Sequence, residues 1–228
     1  MTALTVAIDG SAGSGKSSVS RGVAARLGMR YLDTGAMYRA FTLWLLRNDI
    51  DVADVPAVVA HLEGPDIVTT TDPEAPAVAL ATEDVSLEIR SPAVTAAVSA
   101  VSAIPQVRRR LVELQRQAVR DALASGRGII VEGRDIGTVV LPDADVKVFL
   151  MADPAVRAQR RAAEDTARGQ QVGVAETQAD LARRDAADSD RTVSPLTQAD
   201  DAVVVDATYA DLESVIATVQ ALVVERSR

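Results

Sequence analysis

The chain predicts an α/β fold with a parallel sheet, and three observations carry that prediction. Short, nearly continuous apolar runs alternate with segments of helical spacing along the whole length. A glycine-rich turn sits between the first such run and the first helix. The chain has 228 residues, 48% hydrophobic and 25% charged: enough apolar material for one domain with an insertion or lid, and too little for two full domains. Aromatics are only 3%, so Val, Leu, Ile and Ala must build the core.

Residues 4–9 form a β-rich run ending in the glycine turn, and Lys16–Leu27 follows with helical spacing. Arg30–Asp33 predicts a second short strand. It leads into a helix over about 35–47, with Met37, Phe41, Trp44 and Leu45 as the apolar stripe. Over 49–92 the texture changes, with prolines at 56, 65, 73, 76 and 92 and short β-like runs at 67–71 and 77–80; this is an inserted subdomain. Pro105 opens a long helix to about Ala124, since a first helical turn tolerates proline. Residues 128–131 and 145–151 predict buried parallel strands, being apolar almost throughout. Helices over 154–168 and 175–188 flank a loop at 169–173. A last strand at 202–205 and a closing helix at 212–224 complete the chain.

Composition removes several function classes. Lys and Arg total 24 against 32 Asp and Glu, a net charge of −8, so a sequence-independent nucleic-acid binder is not expected. Without cysteine there are no disulfides, thiolate metal sites or thiol nucleophiles. A single histidine, His61, leaves no room for a His-based zinc site or a Ser-His-Asp triad, and it is expected on the surface of the insert. No charged and apolar leader opens the chain, and the longest uncharged stretch, 91–107, is too weak to span a bilayer. A cytoplasmic protein without membrane association is the expectation.

The glycine turn carries chemistry. Gly10, Ser11, Ala12, Gly13, Ser14, Gly15, Lys16 and Ser17 spell G-x-x-x-x-G-K-[ST], with Ser18 next in line. The match follows a predicted strand and opens a predicted helix, as a phosphate loop requires. There, glycines let backbone N–H groups converge on phosphate oxygens at the positive end of a helix. Lys16 adds a point charge near the β/γ-phosphates, and the Ser17 hydroxyl can ligate Mg²⁺. Only two lysines stand against 22 arginines, so a lysine in this slot answers a positional demand. The D-x-x-G and N-K-x-D signals of a GTPase are absent. Instead, arginines gather at segment ends: Arg39; Arg134, directly after a buried-type strand; Arg157, Arg160 and Arg161 on one helical face; and Arg184 and Arg191 in a row with Asp188. Arg108, Arg109 and Arg110 are consecutive, so at most one or two can face a site.

Five blocks together resemble the bacterial cytidylate kinases: I-D-G-S-A-G-S-G-K-S at 8–17, D-T-G-A-M-Y-R-A at 33–40, E-D-V-S-L-E-I-R at 83–90, E-G-R-D-I-G-T-V-V-L-P-D-A at 132–144, and the R-D-x-x-D-x-x-R row at 184–191. The resemblance implies a P-loop NTPase fold, a five-stranded parallel sheet flanked by helices, with an insert that binds a nucleoside monophosphate and a mobile lid. It divides the chain into a core (1–34, 103–153 and 173–228), a monophosphate-binding domain (35–102) and a lid (154–172). It implies an enzyme that phosphorylates CMP and dCMP with ATP and Mg²⁺, acting as a monomer. By resemblance, Arg39, Arg108, Arg134 and Arg184 hold the acceptor phosphate, with Thr34 beside it where the family often has serine. Ser99, Asp135 and Arg191 read the cytosine and Asp188 the sugar. Lys16, Arg134 and the lid arginines Arg157, Arg160 and Arg161 act on the transferring phosphate, the last three closing over ATP. A broader UMP/CMP-type or adenylate-type kinase, and a non-catalytic P-loop nucleotide sensor, are the alternatives. A substrate panel distinguishes them.

Overall fold

The computed structural model describes residues 3–167, 173–191 and 193–227. Its strands are β1 (Thr5–Asp9), β2 (Arg30–Asp33), β3 (Ile67–Thr69), β4 (Val78–Leu80), β5 (Glu83–Asp84), β6 (Ile129–Gly133), β7 (Val146–Met151) and β8 (Val203–Asp206). Its helices are α1 (Lys16–Leu27), α2 (Thr34–Arg47), α3 (Val55–Ala60), α4 (Pro92–Ala103), α5 (Pro105–Ala124), α6 (Pro154–Ala167), α7 (Val174–Ser189) and α8 (Leu212–Arg226). Five strands form one parallel sheet in the order β2-β6-β1-β7-β8, as expected.

β1 is the central strand, and Val6, Ala7 and Ile8 are fully buried. Its side chains alternate between the two layers, as a strand's must. Val6 and Ile8 pack with Val19 and Val23 of α1 and Val215 and Ile216 of α8, whereas Ala7 faces Val112 and Val119 of α5. From β1 the chain crosses to β2 at one edge, returns as β6 beside β1, then continues as β7 on the other side. That reversal opens a crevice at the carboxyl ends of the strands, where open α/β sheets bind ligands. Asp9, Asp33 and Gly133 end their strands there.

The insert holds a small antiparallel sheet, β3-β4-β5, packed on α2. α2 is buried on two faces: Phe41 and Leu45 meet Val98, Val101 and Leu111, while Ala40 and Leu43 meet Val78, Leu80 and Ile89. Among the bonds that fasten the insert to the core, Arg21 Nε donates to the Pro73 carbonyl (3.0 Å) and the Tyr31 N–H to the Thr71 carbonyl (3.0 Å). His61 is exposed, as expected, with its ring against Trp44.

Besides the short strand β5, three elements lie outside the sequence expectations. α3 forms in the proline-rich stretch, and α4 forms in the uncharged stretch 91–107. In the latter, burial of Val94, Val98 and Val101 outweighs the weak helix propensity of β-branched residues. Residues Ile136–Val140 make a single π-turn, with Val140 N–H bonding back to Asp135 O (3.1 Å). β6 also runs two residues beyond its expected end and takes Glu132 into the sheet. Most of the loop expected at 169–173 and the end of the lid lie outside the described residues.

Candidate active site

The phosphate loop forms as its pattern requires. Gly10 cannot carry a side chain, because a Cβ there would lie 2.0 Å from the Leu150 carbonyl oxygen of β7. Gly15 caps α1 in the left-handed region, φ 94°, so the helix begins with Lys16 and its free N–H groups face the crevice. Lys16 is buried and donates to the Ser11 carbonyl (2.7 Å) and the Ser14 hydroxyl (3.4 Å). Burial, and then the Arg134 charge, pull its pKa down to about 7. A phosphate anion at this point would restore the ammonium.

Beside the loop opens a cleft of about 470 Å³. All the expected acceptor-side residues line it: Thr34, Arg39, Ser99, Arg108, Arg134, Asp135, Arg184, Asp188 and Arg191. From the loop, Ala12, Gly13, Gly15, Lys16, Ser17 and Ser18 line it, whereas Gly10, Ser11 and Ser14 lie behind and shape the turn. Of the three lid arginines only Arg161 lines the cleft. Arg157 bonds the Ala12 carbonyl (3.0 Å) and pairs with Asp185; Arg160 donates to the Ala207 carbonyl (2.7 Å).

The cleft is built around crowded arginines. Arg39 lies almost wholly below the surface, held by the Ile89 carbonyl and the Thr95 hydroxyl, both at 3.0 Å. Desolvation lowers its pKa to about 9, and Arg184, Arg90 and Arg161 add to the fall. Arg184 is lowered for the same reasons, burial first and then Arg134 and Arg161. Gathering like charges in a poorly solvated place costs stability that a bound anion would return. Asp188 braces two of the cations: Arg134 Nε at 2.9 Å and Arg191 Nη2 at 3.0 Å.

Deeper in, Asp135 is buried and pairs with Arg108 through one oxygen, Oδ2, while the carboxylate borders the cleft. Arg108 stands over the Tyr38 ring, 5.4 Å from its centroid. Arg109 on the same helix is exposed, and Arg110 pairs with Glu63. The turn after Asp135 is pinned from below by Asp9, whose carboxylate accepts from Ile136 N (2.8 Å) and Gly137 N (2.7 Å).

Several site residues escape the sequence pattern. Arg90 also lines the cleft and pairs with Asp33 (3.5 Å); the E-D-V-S-L-E-I-R block ends on it, but spacing gives it no direction. Glu132 is buried beside Ser17 and takes the Tyr31 hydroxyl at 2.6 Å; burial and then Asp33 push its pKa up. Asp9, Tyr38 and Asp185 stand inside the blocks at 8–17, 33–40 and 184–191, but nothing in the sequence pattern assigns them a role.

A model of the cytidylate kinase family matches residues 6–225. The chain belongs to the cytidylate kinase family. A cytidylate kinase of Rhodococcus opacus is 54% identical, covering 99% of this chain and 97% of its own length. One of Mycobacterium leprae is 53% identical over 100% of this chain and 98% of its own. One of Streptomyces avermitilis is 52% identical over 98% and 94%. Among solved structures, an uncharacterized protein of Eubacterium ventriosum superposes with a TM-score of 0.54 at 10% identity, covering 98% of this chain and 99% of its own. At that identity the likeness is one of fold alone. Among the described residues, no helix is long and apolar enough to cross a membrane.

Proposed function

We propose that this cytidylate kinase transfers the γ-phosphoryl group of ATP to CMP and dCMP, giving CDP and dCDP. One observation carries the reading: one cleft is lined by the phosphate loop, by the arginines Arg39, Arg134 and Arg184, and by the buried carboxylate of Asp135.

The acceptor needs no base. A nucleoside monophosphate has a second phosphate pKa of about 6, so at neutral pH its oxygen is already an anionic nucleophile. That oxygen bonds to the γ-phosphorus of ATP while the bond to the β-γ bridging oxygen breaks, leaving ADP. Two anions must meet, so the chain supplies positioning and charge neutralisation. Lys16 and the α1 N-terminus take the donor phosphates. Arg39, Arg184 and Arg134 take the acceptor phosphate, with the Thr34 hydroxyl beside them, and Arg161 reaches the transferring group between the two.

The walls also fit Mg²⁺. The Ser17 hydroxyl stands beside the carboxylates of Glu132 and Asp33 on the cleft wall. These would hold the ion, which when bound neutralises the β- and γ-oxygens. Among the described residues, no cluster of three or more His, Cys, Asp or Glu side chains could hold a metal by itself, which suits an ion that arrives with the nucleotide.

Cytosine presents an N4 amino donor next to the N3 and O2 acceptors. The free oxygen of Asp135 accepts from N4, and Arg108 or Arg191 donates to N3 or O2. Ser99 adds a hydroxyl at the same end, and Asp188 faces the sugar. Uracil carries an acceptor at position 4 and leaves the buried carboxylate unanswered, so UMP should react roughly 10²-fold more slowly in kcat/KM. Initial rates with ATP–Mg²⁺ across CMP, dCMP, UMP, AMP and GMP test the reading. CMP and dCMP should lead; transfer to none of the five would overturn it.

A further inference from the structure

We propose that Asp185 is a positioning residue which, with Arg157, clamps the crest of the phosphate loop to α7 and so makes donor and acceptor binding interdependent. The proposal rests on the function proposed above, in which the loop takes ATP and α7 faces the monophosphate.

Both main-chain polar groups of one residue, Ala12, are held. The Ala12 carbonyl accepts from Arg157 Nη1 (3.0 Å), and the Ala12 N–H donates to Asp185 Oδ1 (3.3 Å). Arg157 and Asp185 close the ring by pairing with each other, and Arg157 Nε anchors to the Ala152 carbonyl (3.1 Å) just beyond β7. The next residue is equally confined. A Cβ on Gly13 would stand 3.1 Å from the Arg157 carbonyl and 3.5 Å from a Leu181 methyl. Ala12, Ala158 and Leu181 form a small apolar core under the same spot. The loop crest is therefore seated on α6 and α7 together.

Charge explains why the pair is needed. A carboxylate bonded to a phosphate-loop amide repels the very anion the loop must bind. Arg157 cancels that charge and converts Asp185 from a competitor into a tether. The tether has a second end. Arg184 precedes Asp185 on α7 and Asp188 lies one turn later, and both line the acceptor side of the cleft. When donor phosphates draw the loop amides into line, the Ala12 backbone moves with them, and a rigid helix passes the shift to Arg184 and Asp188. By linkage the effect is reciprocal, so CMP must tighten ATP by the factor with which ATP tightens CMP.

Titration calorimetry of CMP, with and without saturating Mg²⁺ and a non-hydrolysable ATP analogue, tests the clamp. In the wild type the analogue should tighten CMP by about fivefold or more. In Asp185→Asn, CMP alone should bind within about twofold of wild type while the tightening disappears. The double variant Arg157→Met/Asp185→Leu removes both charges, so neither is stranded in the interior, and it should lose the tightening equally. A melting curve on each variant confirms that it is folded. Tightening that survives in either folded variant overturns the clamp, as does a lowered Tm with tightening intact. CMP binding without any tightening in the wild type overturns the clamp alone. No CMP binding at all overturns the acceptor reading, and the clamp with it.

Discussion

Asp9 and Arg184 show how single side chains balance stability against function. Asp9 is buried under the turn that presents Arg134 and Asp135, and desolvation lifts its pKa from 3.8 to about 6 despite two backbone N–H donors. Between about pH 4 and 6 the folded chain keeps a proton that the unfolded chain has released. The stability contributed by that proton is fully present below the ordinary carboxylate pKa and is lost as pH rises through about 6. The shift corresponds to about 3 kcal/mol. Asp9→Asn does not titrate, so relative to wild type it should be more favourable at pH 7 than at pH 4 by about that amount. Urea unfolding at the two pH values checks this; an unchanged gap would mean that Asp9 is not desolvated. Arg184 is half of the opposing trade: it is held in the cleft against its own solvation, a cost that Asp188 and Asp185 offset in part and a bound phosphate would offset further. Arg184→Met should raise KM for CMP by about 10–100-fold, the worth of a charged hydrogen bond, and leave KM for ATP nearly unchanged. Steady-state kinetics in both substrates measure the split.

The elements differ in how openly the sequence declares them. The β1–loop–α1 unit is legible because its constraints are local: an apolar run, glycines where backbone must crowd, then helical spacing. Gly10→Ala makes the point physically. Its methyl would stand 2.0 Å from a main-chain oxygen of β7, which cannot yield, so we expect a loss of more than about 4 kcal/mol or no soluble protein, read by denaturant unfolding. α4 is the opposite case. Val98 and Val101 have poor intrinsic helix propensity, and contact with Phe41, Tyr38 and Leu111, together with the alanines between them, favours the helix. Phe41→Ala, at the centre of that contact, should cost about 3–5 kcal/mol in the same measurement. The π-turn after Asp135 was hidden for a related reason: its geometry is fixed by Asp9, 127 positions away in sequence. In α6, helical spacing places Arg157, Arg160 and Arg161 on one face, yet neighbours at Ala12, Ala207 and Asp165 send the three guanidiniums to different places.

For the whole molecule, the acidic balance and the basic cleft belong together. A net charge of −8 disfavours long polyanions, while arginines concentrated on one cleft can attract small ones. The residue types and motif blocks of that pocket are legible in the sequence; their pairings, Arg108 with Asp135 and Asp188 with Arg134 and Arg191, come only from the packing of α5 and α7 against the sheet. CMP at a hundred times its Kd should therefore stabilise the chain by about 2.7 kcal/mol and raise Tm by roughly 5–11 °C, while UMP at the same concentration does much less. The most direct test of the account is the CMP:UMP ratio of kcat/KM, measured in the wild type and in Asp135→Asn. The account predicts a ratio of about 10² that collapses toward one in the variant, because the amide can turn its N–H₂ toward uracil O4. A ratio that survives the substitution would contradict it and move base recognition away from Asp135.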